Sequence, residues 1–349
     1  MQTLFEEIRD PYGETESQAL SRAGKIIREG GLVVFPTETV YGLGANALDA
    51  DAAAKIYTAK GRPSDNPLIV HIAAPEDAEE LVHTSSLYYR IARAFMPGPI
   101  TVIMKKKEII PSTVTAGLDT VAIRCPAHET AQRLIALAGV PVAAPSANLS
   151  GSPSPTTAQH VRDDMTGRVD AILDGGPCEV GLESTIVKIE DEDMLLLLRP
   201  GAVTKEDLET LGVEVKVASA VLGALKEGEK VLSPGMKYRH YAPRAPLFLL
   251  DGTQENRRKF LAEQKGSIAY LCYDEEKDAL SALHVRLYPI GAMRDTKTQA
   301  GRLFALLREA DKESFDSIYA PAPNPTGMGM ALYNRMIRAA AHQIIRLED

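Results

Sequence analysis

The first 200 residues alternate short apolar runs with segments of helical period, which predicts an α/β domain. Residues 32–35 are typical of a buried strand, because four apolar residues follow the glycine pair that ends a helix predicted over 17–28. The same criteria predict helices at 51–59, 75–82, 86–95, 131–138 and 158–165, and strands at 68–72, 100–104, 120–124, 142–144, 170–173, 184–189 and 194–199. Thr156 or Thr157 is expected to cap the last helix.

The pattern changes after residue 202. Residues 203–245 have one predicted helix, at 205–211, and otherwise low hydrophobicity, so we interpret them as a linker. From residue 246 to 349 strands and helices alternate, which predicts a small parallel sheet with helices on both faces. Its strands are predicted at 247–250, 267–271, 285–289 and 317–320, and its helices at 256–264, 275–282, 296–310 and 329–345.

Composition limits the class of protein. The 349 residues are 45% apolar and 25% charged, as in an ordinary globular protein. The three cysteines are scattered, so neither a disulfide framework nor a zinc site is expected. No apolar run approaches the roughly 20 residues of a membrane span, and the start of the chain lacks a signal peptide pattern. We therefore expect a cytoplasmic protein without membrane contact.

Charge is distributed unevenly along the chain. Residues 1–202 contain 18 Lys and Arg against 27 Asp and Glu, a net charge of −9, whereas residues 203–349 have a net charge of +1. The acidic first domain argues against non-specific binding of nucleic acid. Lys60, Arg62 and Arg199 nevertheless lie in segments rich in glycine and proline, which indicates a local anion site.

Two polar segments follow predicted elements of the first domain. The strand at 32–35 leads into hydroxyls, an acid, a tyrosine and two glycines, and such strand ends are where α/β proteins build their sites. Residues 145–157 alternate prolines with hydroxyls around Asn148, which favours a rigid hydrogen-bonding surface, with a plain linker as the alternative. Arg124 and Arg199 end strands; each could form a surface ion pair, but with Lys60 and Arg62 they would suit a triphosphate.

Common catalytic motifs are missing. Gly42 and Gly44 match the dinucleotide pattern GxGxxG/A, but the strand and helix are too far away and cations stand where an acid is needed, so tight packing is the better explanation. The sequence has no Walker lysine loop, no HExxH, no GxSxG and no close Cys-His pair. His71 could simply be a half-buried structural histidine.

Several segments, in order, resemble a known family. Residues 36–44, 60–72, 115–126, 144–156, 181–186 and 197–201 closely resemble the YrdC-type domain of threonylcarbamoyl-AMP synthases, and residues 234–243 with the tail resemble the two-domain, Sua-type branch. The resemblance implies a twisted mixed α/β sheet with a concave active-site face, a smaller Rossmann-like parallel α/β domain, and a linker that folds back over the site as a lid.

The resemblance also implies a function. Such an enzyme makes L-threonylcarbamoyladenylate from L-threonine, bicarbonate (or CO2) and ATP, and releases pyrophosphate. The product would pass to the machinery that transfers the threonylcarbamoyl group to tRNA, and the chain itself could bind RNA weakly. Mg²⁺ would be held through the ATP phosphates rather than by a protein cage.

By the same resemblance, Lys60 and Arg62 are the candidate catalytic residues. The residues implied to bind ATP are Lys60, Arg62, Ser64, Thr115, Ser146, Ser154, Arg199 and Tyr238. Those implied to surround threonine are Thr37, His71, Arg124, Ala144 and Ser184, with Arg124 on the carboxylate. Lys237, His240 and Tyr241 would complete the lid.

Two other classes of protein are weighed against this one. A binding module for structured RNA would fit a concave α/β face, but the charge of −9 in residues 1–202 counts against it. An enzyme that uses carbamoyl phosphate would carry additional Cys/His zinc modules, which the sequence lacks. Whether pyrophosphate release requires threonine distinguishes these possibilities.

Overall fold

The structure is a computed structural model that describes residues 2–223 and 240–348. Its first part is an eleven-stranded mixed sheet with strand order β1-β8-β2-β3-β7-β4-β6-β5-β9-β10-β11. The strands are β1 (Leu4–Glu7), β2 (Val33–Phe35), β3 (Gly42–Asn46), β4 (Ile69–His71), β5 (Ile100–Lys105), β6 (Thr120–Arg124), β7 (Val142–Ala143), β8 (Ala171–Asp174), β9 (Thr185–Asp191), β10 (Met194–Arg199) and β11 (Glu214–Val217).

Eight α-helices and two short 3-10 turns accompany this sheet in the described part of the chain. The helices are α1 (Glu14–Arg28), α2 (Ala50–Lys60), α3 (Ala78–Leu81), α4 (Ser86–Phe95), α5 (Ser112–Thr115), α6 (Glu129–Ala138), α7 (Ala158–Met165) and α8 (Lys205–Glu209), and the turns are Pro75–Asp77 and Ser219–Val221. Thr157 caps α7 by accepting a hydrogen bond from the His160 amide, so that predicted cap is confirmed.

The second sheet has five strands in the order β14-β13-β15-β12-β16, and every recorded pairing is parallel. Its strands are β12 (Leu247–Asp251), β13 (Ile268–Tyr273), β14 (Arg286–Gly291), β15 (Ser317–Pro321) and β16 (Ile344–Arg346). Its helices are α9 (Gln254–Glu263), α10 (Lys277–Leu280), α11 (Thr296–Ala310) and α12 (Met328–Ala339), with a 3-10 turn at Asp274–Glu276. The predicted parallel sheet is confirmed.

Four strands are not predicted from the sequence. Three of them, β1, β11 and β16, lie at sheet edges and bury few of their side chains, so their sequences lack a strong apolar pattern. The helix predicted to reach residue 345 ends at Ala339, because Ala341 and His342 adopt positive φ angles of 47° and 63° and redirect the chain into β16.

The segment interpreted as a linker, 203–245, begins inside the first domain. It forms α8 and then β11, which pairs in parallel with β10. Residues 224–239 of this segment lie outside the described residues. The first sheet therefore extends beyond residue 202.

The fourth unpredicted strand, β3, contains the glycine pair that matches the dinucleotide pattern. It pairs antiparallel with β2 and β7 rather than forming a phosphate loop. A side chain at Gly44 would come within 2.8 Å of atoms of both Phe35 and Val142, so this position needs glycine for close packing. The prediction of tight packing is confirmed.

The two domains share an extensive buried contact. Val40 and Leu182 of the first domain belong to the hydrophobic core of the second. Arg308 of α11 donates to the Asp164 carboxylate at 2.6 Å, and Asn334 of α12 donates to the Val221 carbonyl at 2.6 Å. Among the described residues, no helix combines the length and the apolar character needed to cross a membrane.

Candidate active site

One cavity is lined by loops and strand ends of the first sheet together with two residues that follow residue 239. The sequence predicts nine of the lining residues, namely Thr37, Arg62, His71, Arg124, Ala144, Ser146, Arg199, His240 and Tyr241, and does not predict seven, namely Val40, Tyr41, Gly42, Ile69, Pro145, Asn148 and Glu183. Strand pairing explains part of this convergence. His71 and Arg124 are register partners at the ends of the parallel strands β4 and β6, so their side chains meet.

Arg124 is held by one end of its guanidinium. Its Nη2 donates to Thr39 Oγ1 at 2.8 Å and lies 2.9 Å from Glu38 Oε1, an ion pair outside hydrogen-bond geometry. Its buried Nε has no hydrogen-bond partner among the described residues. The guanidinium is therefore fixed in position while keeping a buried donor free.

His71 is a neutral neighbour of this arginine. Burial, and then the charge of Arg124, lowers the pKa of His71 to about 3. Its Nδ1 lies 3.2 Å from the Ile69 carbonyl oxygen, and its ring meets Phe35 edge-on with centroids 5.9 Å apart. His71 can therefore offer a neutral hydrogen-bonding nitrogen but no charge at neutral pH.

Thr37 shapes the loop between β2 and β3. Its hydroxyl donates to the Val40 carbonyl at 2.6 Å and accepts from the amides of Thr39 and Val40, each at 3.2 Å. Such a hydroxyl turn fixes a loop whose backbone has no ladder partner. Thr37 therefore helps to place Thr39, the partner of Arg124.

Lys60 is the last residue of α2 and is almost fully buried. Gly61 ends the helix with a φ of 60°, which turns the chain away just after this lysine. Lys60 Nζ donates to the carbonyl oxygens of Ser146 and Asn148, the latter at 2.5 Å. Burial, and then the charge of Arg62, lowers the pKa of Lys60 well below its ordinary value.

Arg62 lies in the loop after α2 and faces the same cavity. Its Nη2 donates to the carbonyls of Asn66 and Pro67 at 3.2 and 3.1 Å, and its Nε has no partner among the described residues. Burial lowers the pKa of Arg62 to about 10, so it remains a cation at neutral pH.

The loop after β7 is internally hydrogen-bonded. Ser146 Oγ donates to Asn148 Oδ1 at 2.6 Å, and Asn148 Nδ2 donates to the carbonyls of Leu149 and Ser152 at 2.7 and 2.9 Å. These bonds contradict the alternative of a plain linker over 145–157. The loop instead presents carbonyls to Lys60 and lines the cavity.

The opposite wall is built from the start of β9 and the end of β10. Arg199 Nε donates to the Ser184 carbonyl at 2.9 Å, and its Nη2 to Ser184 Oγ at 3.1 Å. Burial lowers the pKa of Arg199 to about 10. Glu183 accepts hydrogen bonds from the Ser154 hydroxyl and from Arg335 of the second domain. Ser154 and Ser184 thus support the wall from behind.

Two predicted lid residues border the cavity. Tyr241 has a φ of 63° and stacks on Phe304 of α11 with ring centroids 5.1 Å apart. Burial lowers the pKa of His240 to about 3, and its Nε2 has no partner among the described residues. The other two predicted lid residues, Lys237 and Tyr238, lie outside the described residues.

Five of the predicted site residues that the structure describes do not line the cavity. Lys60, Ser154 and Ser184 support its walls from behind, and the other two lie farther away. Ser64 is exposed on the loop after Arg62. Thr115 is fully buried at the end of α5, where its hydroxyl lies 3.5 Å from the Ser112 carbonyl. Their assignment to ATP stays a prediction from sequence.

The unpredicted Glu183 and Asn148 are buried polar residues of the cavity lining. Both lie inside segments that the sequence singles out, but the sequence does not show that their side chains turn inward. Arg335 carries no sequence signal, since it lies on a helix about 150 residues from Glu183. Only the packing of the second domain against the first brings it to the site.

The electrostatic character of the cavity is cationic. Its described lining contains Arg62, Arg124 and Arg199 and one carboxylate, Glu183, which is already paired. Buried polar groups in folded proteins are almost always hydrogen-bonded, so the unpartnered Nε atoms of Arg62 and Arg124 and the ring nitrogen of His240 indicate a ligand site. Arginine forks match carboxylates and phosphates. The arrangement suits an anionic ligand.

Two family models match the chain. Residues 25–201 match the Sua5/YciO/YrdC model, which carries the description telomere recombination. Residues 203–341 match the model described as the C-terminal domain of threonylcarbamoyl-AMP synthase. The two matches follow one another along nearly the whole chain.

Characterised relatives match over nearly their full length. A threonylcarbamoyl-AMP synthase of Bacillus subtilis is 44% identical over 98% of this chain and 98% of its own. One of Pyrococcus abyssi is 42% identical over 93% of this chain and 95% of its own. The crystal structure of P. abyssi Sua5 complexed with L-threonine is 39% identical, with a TM-score of 0.89, over 99% of this chain and 100% of that one.

Proposed function

We propose, because the chain belongs to the threonylcarbamoyl-AMP synthase family, that the cavity described above is where it joins L-threonine to ATP. The chain is an enzyme, a nucleotidyltransferase that forms L-threonylcarbamoyladenylate in the first step of threonylcarbamoyladenosine formation in tRNA. The observation that carries the site assignment is the pair of buried Nε atoms, of Arg62 and Arg124, that have no partner among the described residues.

The Arg124 side of the cavity is the proposed threonine site. The free Nε of Arg124 can donate to a carboxylate while Thr39 holds the other end of the guanidinium. His71 adds a neutral nitrogen for the threonine hydroxyl. Thr37 and Ala144 line the same pocket, and Ser184 supports its wall through Arg199. The relative crystallised with L-threonine has the same fold as this chain, which supports the proposal.

The Arg62 side is the proposed site of the ATP phosphates. Arg62 and Arg199 supply permanent cations, and Lys60 fixes the carbonyls of Ser146 and Asn148 from behind. Phosphates are bound where cations and hydroxyls meet in a partly desolvated pocket. Ser154 supports this wall through Glu183.

The reaction follows from these positions. The threonine amine attacks CO2, derived from bicarbonate, to form a carbamate. A carbamate oxygen then attacks the α-phosphorus of ATP, and pyrophosphate leaves. Neither step needs an enzyme nucleophile, so catalysis rests on placing the two substrates and on stabilising negative charge as it shifts to the leaving phosphates.

The side chains around the cavity also indicate how Mg²⁺ would be held. Among the described residues no group of three or more His, Cys, Asp or Glu side chains could hold a metal ion, and the carboxylate of Glu183 is already paired. These residues fit Mg²⁺ that is held through the ATP phosphates, where it would neutralise part of their charge.

Three further proposals concern the surroundings of the reaction. The carbamate hydrolyses readily, so His240 and Tyr241, with Lys237 and Tyr238, would serve as a lid that excludes water. We also propose that the product passes to the enzymes that modify tRNA and that the protein works in the cytoplasm. We further propose that the chain itself binds RNA weakly.

The test is pyrophosphate release from ATP by the purified protein. Threonine and bicarbonate are omitted one at a time, and serine replaces threonine in a parallel assay. The proposal expects release that needs both substrates and prefers threonine. Release without threonine, or no release although ATP binds, would contradict it.

A further inference from the structure

Arg335 of the second domain reaches the cavity wall. Arg335 of α12 is fully buried, and it donates to Glu183 Oε2 from Nε at 2.8 Å and to the Glu183 carbonyl from Nη2 at 3.1 Å. Its Nη1 donates to the Pro200 carbonyl at 2.9 Å. One guanidinium therefore ties together two separate segments of the first domain.

These two segments carry the residues of the Arg199 wall. Glu183 directly precedes Ser184, Pro200 directly follows Arg199, and Arg199 donates two hydrogen bonds to Ser184. A shift of α12 would therefore be transmitted to both residues through hydrogen bonds of 2.8 to 3.1 Å. Buried networks of this kind hold a specific geometry, because an unpaired member is costly.

The same guanidinium also contacts the lid. Its Cζ lies 5.9 Å from the centroid of the Tyr241 ring, which stacks on Phe304 of α11. A cation at this distance from an aromatic face is attracted to it. Arg335 therefore contacts both Glu183 in the cavity wall and Tyr241 in the lid.

The contact between Arg335 and Glu183 affects the charge of the cavity wall as well as its shape. Burial would raise the pKa of Glu183, but Arg335 and then Arg199 outweigh it and hold the pKa below its ordinary value. Glu183 therefore remains a carboxylate, with Arg335 as its ion-pair partner and Arg199 as a second cation that acts on its charge. Without Arg335, Arg199 would be the cation of these two that is left to compensate the Glu183 carboxylate. An Arg199 that is paired in this way binds phosphate less well.

We propose that Arg335 is a positioning residue for nucleotide binding, by which the second domain keeps Glu183 paired and leaves Arg199 available to ATP. This inference rests on the proposed function for the place of the phosphates. It assigns the second domain a part in the site, because this domain supplies the countercharge for Glu183.

The experiment compares Arg335→Met with Arg257→Met in the full chain. Arg257 is a matched control, since it is also a buried arginine paired with a carboxylate, Glu276, but within the second domain. Pyrophosphate release is measured while ATP and threonine are varied separately. We expect Arg335→Met to raise the KM for ATP about tenfold and the KM for threonine less than threefold, and Arg257→Met to change neither.

A second substitution separates positioning from simple destabilisation. In the double variant Arg335→Met with Glu183→Gln the uncompensated carboxylate is gone, so most of the affinity for ATP should return. Arg335→Lys, which keeps the charge but loses the fork, should fall between wild type and Arg335→Met, and it replaces the methionine variant if that one does not fold. A KM for ATP unchanged in the folded variants, or an ATP defect that Glu183→Gln fails to relieve, would overturn the proposal.

The test of Arg335 can be distinguished from the test of the proposed function. If the wild-type protein releases no pyrophosphate, the proposed reaction fails, but the Kd for ATP can still be measured by titration calorimetry. A Kd about tenfold weaker in Arg335→Met, restored by Glu183→Gln, supports the inference, and an equal Kd in wild type and Arg335→Met refutes it.

Discussion

Each domain has a cavity lined by buried arginine, and the two cavities differ in how that charge is paired. In the first domain Arg62 and Arg124 keep an Nε without a partner among the described residues. In the second domain Arg257 donates to Glu276 Oε1 from Nε and Nη2 at 3.1 and 2.6 Å, and to the Gly252 carbonyl from Nη1 at 2.6 Å.

The pairing has opposite electrostatic consequences. Burial lowers the pKa of Arg62 to about 10. For Arg257 burial also acts to lower the pKa, but Tyr270 and Glu276 outweigh it and the pKa is raised. Glu276 in turn accepts from the Tyr273 amide at 2.9 Å and from the Tyr270 hydroxyl at 3.2 Å. Burial of an arginine alone therefore does not indicate a site; a buried guanidinium nitrogen without a hydrogen-bond partner does.

The largest effect should come from removing the buried lysine behind the phosphate side of the first cavity. We expect Lys60→Ala to lower the rate of pyrophosphate release by about 10²- to 10³-fold, because it leaves the carbonyls of Ser146 and Asn148 without their donor and so loosens the loop that lines the phosphate side. Lys55→Ala is the control, since Lys55 lies on the same helix and donates to the Gly30 carbonyl away from the cavity. A Lys60→Ala enzyme with near wild-type activity would refute the phosphate assignment.

The comparison itself is tested by truncating one arginine in each cavity. Arg124→Met should raise the KM for threonine on the order of 10²-fold, because a charge-assisted fork is lost. Arg257→Met should leave the kinetics of the folded enzyme unchanged but lower the free energy of unfolding by about 3–5 kcal/mol, since Glu276 is left as an uncompensated buried charge. Steady-state kinetics and urea unfolding of both variants test whether the two arginines have different roles. A raised KM for threonine in Arg257→Met would contradict that difference.

A smaller effect concerns pH. The folded pKa of His71, about 3, is below the ordinary value of about 6.5, so the unfolded chain binds a proton first as the pH falls. The contribution of neutral His71 to stability is complete above about pH 6.5 and is lost towards pH 3, by about 1.4 kcal/mol per pH unit.

The measurement compares urea unfolding at pH 7 and pH 5. The loss of stability between them should be about 2 kcal/mol smaller in His71→Gln than in wild type. His284→Gln, a change at an exposed histidine of the second domain, should follow the wild-type curve. Identical pH dependence in His71→Gln and wild type would show that His71 is not held neutral by burial.

The smallest expected effect concerns the cavity of the second domain and tests whether that cavity takes part in the reaction. Thr253 lines this cavity and caps α9 by accepting from the Asn256 amide at 3.2 Å. Thr253→Ala should lower the free energy of unfolding by about 1 kcal/mol without changing either KM, and Thr253→Ser should retain the cap. A change in the KM for ATP would mean that this cavity communicates with the reaction.

Local sequence predicted most elements of the fold, for identifiable reasons. Helix α7 begins where Thr157 can cap it, and β6 is a run of β-branched and apolar residues between turn residues. The edge strand β11 and the strand β3 were missed, because β11 buries little and β3 is made of Gly-Leu-Gly-Ala-Asn. Such strands are defined by their neighbours rather than by their own propensity.

The sequence by itself determined the α/β class of both domains, because apolar runs and helical periods leave a local signature. The resemblance to a known family indicated most of the residues that line the cavity. Only the tertiary structure decided that Lys60 is bound by backbone carbonyls, that Glu183 turns inward, and that Arg335 pairs with it. These contacts join residues 88 and 152 positions apart, and whether a buried charge finds a partner depends on the packing of distant segments.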